Sequence, residues 1–168
     1  MYNRNRGFSL IELLVVVVVI GIIAVIAIPG LLASRRNANE GSAISTMRLL
    51  HGSQMTYAST FGVGQFAGDI GAGTVNTLIV LRSRELIDPV LATGIKSGYI
   101  YVGGRETGAS VSQAQFFFSA IPLVVDPFNG TGDHRFGIST DGVLRSDTVM
   151  SAHYANVVAV TSASTMGN

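Results

Sequence analysis

An apolar segment near the amino end constrains the fold of this chain more than any other feature. Residues 8–34 contain one charged side chain, Glu12, and residues 13–33 contain none. A helix needs about 20 apolar residues to cross the roughly 30 Å hydrocarbon core of a bilayer. Residues 15–20 leave no polar face, and a protein of 168 residues could hardly surround such a helix in a soluble core. The sequence therefore predicts a membrane-spanning helix.

A cleaved secretory signal is the alternative to a membrane helix, but its apolar region is usually about 7 to 15 residues long, which is shorter than the segment here.

The residues that flank this helix leave its orientation open. Arg4 and Arg6 precede the segment, whereas Arg35, Arg36 and Arg48 follow it. Positive residues favour the cytoplasmic side of a membrane. The charges at the two ends therefore oppose each other.

The composition of the whole chain excludes several classes of protein. The 11 basic and 10 acidic residues nearly cancel, which argues against a nucleic-acid surface built on net charge. Charged residues make up 12% of the chain and its mean hydropathy is +0.45, values that exclude a disordered protein. The absence of cysteine excludes disulfide scaffolds, zinc ribbons and thiol nucleophiles. About 110 to 140 residues remain beside the membrane segment, enough for one compact domain.

A combination of residues around the start of the apolar segment points to a known family. Residues 6–32 read RGFSLIELLVVVVVIGIIAVIAIPGLL. They closely resemble the amino end of type IV pilins and of type II secretion pseudopilins. That pattern has a short basic leader, a glycine, a phenylalanine, a glutamate as the fifth mature residue, and a proline near the far end of the helix. Gly7, Phe8, Glu12 and Pro29 occupy the matching places.

The resemblance implies a route of processing and assembly. Residues 1–7 would form a leader kept in the cytoplasm, a prepilin peptidase would cut between Gly7 and Phe8, and the new amino group of Phe8 would be methylated. The protein would cross the inner membrane once, with its carboxyl end outside. An inner-membrane assembly platform would then add it to an extracellular helical filament of identical subunits. Adhesion, motility and uptake are all open as roles of that filament.

The chemistry of Glu12 gives an independent reason for such an assembly. A charged side chain in the membrane costs on the order of 2.5 to 3.5 kcal/mol on insertion scales, so it needs a partner. Cleavage would create a cation at Phe8, which lies four residues earlier and on the same helix face. Pairing of Glu12 with the amine of a neighbouring subunit would select one register between the helices. The alternative is that Glu12, one turn from the helix start, simply reaches the membrane interface.

Gly21 and Pro29 are predicted weak points of this helix. Proline removes one backbone hydrogen bond and clashes with the carbonyl group four residues earlier, and glycine adds backbone freedom. A kink or a melted stretch near residues 20–29 would allow a filament to stretch. An ordinary curved membrane helix is the alternative, because membrane helices tolerate proline.

The remaining sequence predicts an α+β fold, in which a long amino-terminal helix packs on a carboxyl-terminal antiparallel sheet. Apolar residues recur at three- and four-residue steps between Ala43 and Phe61, which indicates an amphipathic helix that ends near Gly62. A glycine-rich loop and a short helix are predicted next, over residues 62–73 and 74–86, and the helix is expected to stop near Asp88 and Pro89. Strand signals cover residues 97–102, 115–125, 134–139 and 142–147. Gly103, Gly104 and the region of Gly108 lie between the first two strands, and a tight turn is predicted at Asp141 and Gly142. The tail from residue 161 is expected to fray.

The chain is predicted to have four parts. These are the leader at residues 1–7, the membrane and filament-core helix at residues 8–33, the amphipathic helix of the head at residues 34–60, and the globular head at residues 61–168.

Patterns typical of enzymes are absent: the histidines are scattered, and neither HExxH nor GxSxG occurs. Calcium could take oxygens from several residues, but these lack the spacing of a calcium loop and turn roles are expected for them: Asp126, Asn129, Asp133, Asp141 and Asp147. We therefore expect no catalytic residue, no metal and no cofactor, and the sequence gives no direct evidence for a nucleic-acid partner.

Three functions are open at this stage. The chain could be a structural filament subunit, a pseudopilin or minor pilin of a secretion or DNA-uptake machine, or a membrane-anchored binding module. Abundance in sheared surface material separates the first from the second. Replacement of Glu12 separates both from the third, because a plain membrane anchor does not need this residue.

Overall fold

The structure, a computed structural model, describes residues 7–71, 73–107 and 114–166. Four helices and five strands occur in these ranges. In chain order they are α1 (Leu10–Thr60), α2 (Asn76–Ser83), α3 (Pro89–Ala92), β1 (Ile95–Lys96), β2 (Tyr99–Glu106), β3 (Gln115–Pro122), β4 (Arg135–Ser139), β5 (Leu144–Asp147) and α4 (Val157–Thr161).

The chain divides into two compact units, and the boundary between them lies between Arg35 and Arg36 within α1. In the first unit the apolar side chains are exposed; Leu10, for example, is 84% exposed and Ile26 is 76% exposed. Among the described residues, α1 is the one helix with the length and composition to cross a membrane, and none of its most apolar 18-residue window is buried. These properties agree with the predicted membrane anchor.

The second unit, which we call the head, is built around an antiparallel sheet. Its strands lie side by side in chain order from β1 to β5. Tyr99 pairs with Pro122 at one end of the β2–β3 ladder, and Phe118 pairs with both Gly103 and Ile138 across the centre of the sheet. The long helix and this sheet confirm the predicted α+β fold class.

Buried side chains cover both faces of the sheet, because successive residues of a strand point to opposite sides. On one face, Phe116 and Phe118 belong to the main core together with Ala43, Met47 and Leu50 of α1. On the other face, Phe117 belongs to a smaller cluster with three residues of the carboxyl-terminal segment, which are Tyr154, Val157 and Val160. The aromatic run at residues 116–118 therefore supplies both cores.

Strand β2 corrects the sequence prediction, which ended this strand at Val102 and placed Gly103 and Gly104 in a connection. Both glycines lie inside β2. A Cβ atom at Gly103 would lie 2.4 Å from the ring of Phe118, so close packing between neighbouring strands requires a residue without a side chain. The predicted connection around Gly108 lies partly in residues 108–113, which are outside the described residues.

The sequence patterns did not predict two short elements, β1 and α3. Strand β1 has only two residues, and it turns into β2 through Ser97 and Gly98, whose φ angles of 49° and 73° are those of a type I′ hairpin. Asp88 and Pro89 do stand after α2, as predicted, but they also begin α3, since the Asp88 carboxylate accepts the amide of Leu91 at 2.9 Å. The Asp141–Gly142 turn joins β4 to β5 as predicted.

The carboxyl-terminal tail is ordered in the structure as far as it is described, against the expectation of fraying. The backbone amide of Ser146 donates to the carbonyl oxygen of Ser164 at 3.0 Å, and that of Met166 donates to Leu144 at 3.1 Å. Backbone pairing of this kind covers the free edge of β5 and needs no apolar side chains. A small, polar sequence therefore carried no signal of it. The last two residues of the chain lie outside the described ranges.

Candidate processing and assembly site

The predicted cleavage position lies just before α1. Gly7, Phe8 and Ser9 precede Leu10, the first helical residue, and Phe8 is 81% exposed. The peptide bond between Gly7 and Phe8 is thus in non-helical, accessible chain, where its backbone groups are not committed to the internal hydrogen bonds of a helix. Residues 1–6 of the predicted leader, with Arg4 and Arg6, lie outside the described residues.

Ser9 and Glu12 cap the start of α1 reciprocally. The backbone amide of Glu12 donates to Ser9 Oγ at 3.2 Å, and the backbone amide of Ser9 donates to Glu12 Oε2 at 3.3 Å. This arrangement is a capping box, in which two otherwise unpaired donors of the first turn are satisfied. A cap of this kind typically stabilises a helix by about 1 kcal/mol. Glu12 therefore helps to define where the helix begins.

Ser9 adds a functional residue that the sequence analysis missed. The signal was available, because a serine three residues before a glutamate and ahead of an apolar run is the pattern of a capping box. The cap occupies one oxygen of Glu12, and Oε1 forms no hydrogen bond within the described residues. A second donor can therefore bind this carboxylate without displacing Ser9.

Gly21 and Pro29 both lie inside α1, and the backbone is helical at every residue between them. A kink or a melted stretch of this segment in an assembled filament stays a prediction. A Cβ atom at Gly21 or at Gly30 would meet no atom within 4 Å. Packing inside this chain thus gives no reason for a glycine at either position.

The part of α1 that belongs to the head, from Arg36 onward, binds the loop between β3 and β4, residues 123–134. Arg36 donates to the carbonyl oxygens of Pro127 and of Gly130, the latter at 3.2 Å. Asn39 donates to the carbonyl oxygen of Thr131 at 2.9 Å, and Glu40 accepts the backbone amide of Asp133 at 2.6 Å. Three side chains within about one turn of α1, which no sequence pattern had marked, therefore hold this loop against the helix.

The carboxylates considered for calcium have turn or ion-pair partners. Asp126 accepts the backbone amides of Phe128 and Asn129, and Asp141 accepts that of Val143 and pairs with Arg145 at 2.7 Å. Asp133 pairs with Arg36 and Asp147 with Arg135. Within residues 7–71, 73–107 and 114–166, no group of three or more His, Cys, Asp or Glu side chains is arranged to hold a metal ion.

An open pocket of about 410 Å³ lies beside α4 and is lined in part by His153 and by Ala159 of that helix. Ser119 Oγ accepts the backbone amide of Tyr154 at 3.0 Å and forms a second hydrogen bond with His153 Nδ1 at 3.1 Å, whose direction depends on the tautomer of the imidazole. Burial, followed by the charge of Arg135, lowers the pKa of His153 to about 4. Asp147 binds Arg135 and Tyr154 instead of His153. The cluster therefore lacks the order of a Ser-His-Asp triad, and it joins β3 to the segment before α4.

Comparison with known proteins supports the amino-terminal site. A family model described as the prokaryotic N-terminal methylation motif matches residues 2–28. No curated protein and no solved structure matches the chain. The matched segment contains Gly7, Phe8, the Ser9–Glu12 cap and most of the exposed apolar helix. The chain thus carries the prokaryotic N-terminal methylation motif, which is the prepilin signal of type IV pilins and pseudopilins.

Proposed function

We propose that this protein is the structural subunit of a type IV pilus-like surface filament, cut by a prepilin peptidase and assembled through its amino-terminal helix. One observation carries the proposal. The methylation motif, the accessible Gly7–Phe8 bond, the capped Glu12 and a helix of exposed apolar side chains coincide within a single segment. Each is common alone, whereas their fixed spacing serves one sequence of cleavage, insertion and assembly.

Most apolar side chains in residues 10–31 of α1 are exposed among the described residues, and such a surface requires a cover. The side chains of residues 15–19 are each about half exposed, and they lie on all sides of the helix. Contiguous exposed apolar surface of this extent marks a membrane or protein contact. Lipid would cover it before assembly, and the same helices of neighbouring subunits would cover it in a filament, where close van der Waals packing holds them together.

Glu12 would select the register of that packing. Cleavage after Gly7 turns the nitrogen of Phe8 into an amine, which is a cation at neutral pH. The free Oε1 of Glu12 can accept this donor from a neighbouring subunit while Oε2 keeps the cap with Ser9. A carboxylate that remained unpaired among apolar helices would be strongly disfavoured. That cost is avoided only if the axial offset between neighbouring helices brings the Phe8 amine of one subunit to the Glu12 carboxylate of the next.

The proposal is tested by two substitutions at Glu12 that differ in one property. Glutamine can keep the hydrogen bond to Ser9 and loses the charge, whereas alanine loses both. We expect both variants to be cleaved, since Gly7 and Phe8 are unchanged, and to enter the membrane fraction at least as well as the wild type. Both should lose filaments from sheared surface material. A normal filament yield from Glu12→Ala would show that Glu12 has no role in assembly. It would favour the alternative interpretation, in which the Glu12 carboxylate only reaches the membrane interface.

Processing gives a second readout. The mature chain should begin with N-methyl-Phe8 and contain 161 of the 168 residues, and its formal charge should change from +1 to −1 because Arg4 and Arg6 leave with the leader. Intact mass and amino-terminal sequencing of the protein from its native cell measure both properties. A mature protein that still begins at Met1, or that is cut after Ala27 or Ala33, would contradict the proposal.

The matched motif is shared with pseudopilins, so a pseudopilin or minor pilin of a secretion or DNA-uptake machine is the second candidate. A major filament subunit should dominate sheared surface material, and a minor component should not. In either case we infer a leader that remains in the cytoplasm, a head outside, the inner-membrane assembly platform as a partner and no catalytic role. A membrane-anchored binding module is the outcome if Glu12 can be replaced without effect.

A further inference from the structure

We propose that Asn129 carries an N-linked glycan on the surface of the head. Asn129, Gly130 and Thr131 form the acceptor pattern N-x-[ST], in which the middle residue is not proline. No other asparagine of the chain has a serine or threonine two positions later. The inference rests on the proposed function in one respect, since it requires the head to leave the cytoplasm.

The structure places Asn129 where a large modification can be accommodated. It lies near the apex of the loop between β3 and β4, its side chain is exposed, and the neighbouring Phe128 is 77% exposed. The side-chain amide of Asn129 forms no hydrogen bond with the described residues, and only its backbone amide is used, by Asp126. The reactive nitrogen is therefore free.

The loop keeps its shape without the side chain of Asn129. Asp126 binds two successive backbone amides, and the amide of Gly130 donates to the carbonyl oxygen of Asp126 at 2.9 Å. A Cβ atom at residue 130 would lie 2.4 Å from that oxygen, which explains the glycine by the turn alone. Arg36 and Asn39 hold the loop from α1. The turn thus accounts for Gly130 and leaves the exposed asparagine unexplained.

The surroundings of Asn129 give a reason for a polar cover. Leu123, Val124 and Val125 in the same loop are 44%, 42% and 53% exposed, and they add to the exposed ring of Phe128. Clustered apolar side chains on a protein surface promote aggregation unless a partner or a modification covers them. A glycan is bulky and strongly hydrated, and at residue 129 it would be attached directly beside Phe128.

The chemistry is a glycosyl transfer from a lipid-pyrophosphate-linked oligosaccharide. Asn129 Nδ2 attacks the anomeric carbon of the sugar, a C–N bond forms, the bond from that carbon to the pyrophosphate oxygen breaks, and Nδ2 releases one proton. The lipid pyrophosphate is the leaving group and nothing is oxidised or reduced. In the folded loop Thr131 Oγ1 accepts the backbone amide of Val124 at 3.1 Å. We therefore place the transfer before this loop closes, while the hydroxyl of Thr131 is free for recognition.

The test is the mass of the peptide that contains Asn129, taken from full-length protein made in the native cell. Wild type should carry a glycan on Asn129, and Thr131→Ser, which preserves the acceptor pattern, should keep it. Asn129→Gln and Thr131→Val should lose the added mass completely. An unmodified wild-type peptide, or an added mass that survives Asn129→Gln, would overturn the proposal; the first result would leave the exposed loop as a contact between subunits.

The same measurement separates this proposal from the filament function. A chain that begins with N-methyl-Phe8 but has an unmodified Asn129 overturns the glycan alone. A chain that begins at Met1 overturns the proposed processing, whatever the mass at Asn129. The two readouts come from different peptides, one at the amino end and one around Asn129, so each result is scored separately.

Discussion

Gln54 provides a direct test of how α1 is locked to the head. Its side chain is fully buried, Nε2 donates to the carbonyl oxygen of Ala67 at 2.9 Å, and Oε1 accepts the backbone amide of Ala67 at 2.9 Å. Ala67 is itself buried and belongs to the glycine-rich loop that follows α1. Gln54→Leu keeps the approximate size of the side chain but leaves both backbone groups of Ala67 without a partner.

The magnitude follows from these two groups. Each buried backbone group that loses its partner costs about 1 to 3 kcal/mol, and burial of a leucine side chain offsets about 1.5 to 3 kcal/mol of the sum. We therefore expect the free energy of unfolding of the head to fall by about 0.5 to 3 kcal/mol in Gln54→Leu. The exposed Gln65 supplies a matched control, because Gln65→Leu in the same loop should change stability by less than about 0.5 kcal/mol.

Gln54→Glu adds a dependence on pH with a defined sign. A protonated glutamic acid can reproduce both bonds, since its hydroxyl donates to Ala67 and its other oxygen accepts. The ionised form is buried and faces a carbonyl oxygen, so the pKa of this residue in the folded state should rise above its ordinary value of about 4.3. The folded state then binds the proton more tightly than the unfolded state. The stability of the variant relative to wild type is therefore retained below about pH 4 and lost as the pH rises through the raised pKa.

Urea unfolding of the head, residues 31–168, at pH 7 and pH 4 measures these differences. The wild type must be compared with each variant at the same pH, because other groups also titrate. An unfolding midpoint of Gln54→Leu equal to that of wild type would show that the paired amide contributes no net stability. A gap between Gln54→Glu and wild type that does not narrow at pH 4 would refute the explanation by ionisation.

Three further predictions concern the head. Residues 31–168 should form a soluble monomer, because no other apolar segment of membrane length follows Leu31; sedimentation that finds stable filaments of this fragment would contradict it. Gly137→Ala should lower the free energy of unfolding by about 1 to 3 kcal/mol, because its Cβ atom would lie 2.7 Å from the ring of Tyr154, whereas Gly52→Ala on the open side of α1 should raise it by about 0.5 to 1 kcal/mol. His153 should stay neutral until the pH approaches its pKa of about 4. The unfolded chain binds this proton near pH 6.5, so stability should fall as the pH drops from about 6.5 towards 4. Ring shifts in NMR spectra report the pKa, and His153→Gln should remove this part of the pH dependence; a histidine that titrates near 6.5 would show that its environment is not buried.

The amino-terminal site was readable from sequence because its signals are local. A membrane-length apolar segment, a glycine before a phenylalanine and a glutamate at fixed spacing all depend on neighbours within a few turns of one helix. The Ser9–Glu12 cap belongs to the same class and was overlooked despite its pattern. For this segment the structure adds the observation that most of its described apolar side chains are exposed.

Other parts of the head depended on residues far apart in the chain. The main strands follow apolar and aromatic patterns, but Gly103 is understood only when Phe118 of the next strand is in place. Likewise, the loop at residues 123–134 is held by side chains of α1 about 90 positions earlier.

By itself, the sequence determined the apolar anchor, its cleavage motif, the α+β class and the turn at Asp141–Gly142. Only the tertiary structure decided how far β2 extends, that Thr165 and its neighbours cover the edge of β5, and that Gln54 closes the glycine-rich loop. The physical reason is the range of the interactions. Helix caps, turns and membrane insertion depend on the side chains of adjacent residues, whereas strand edges and buried amides are satisfied by backbone groups whose position the whole fold sets.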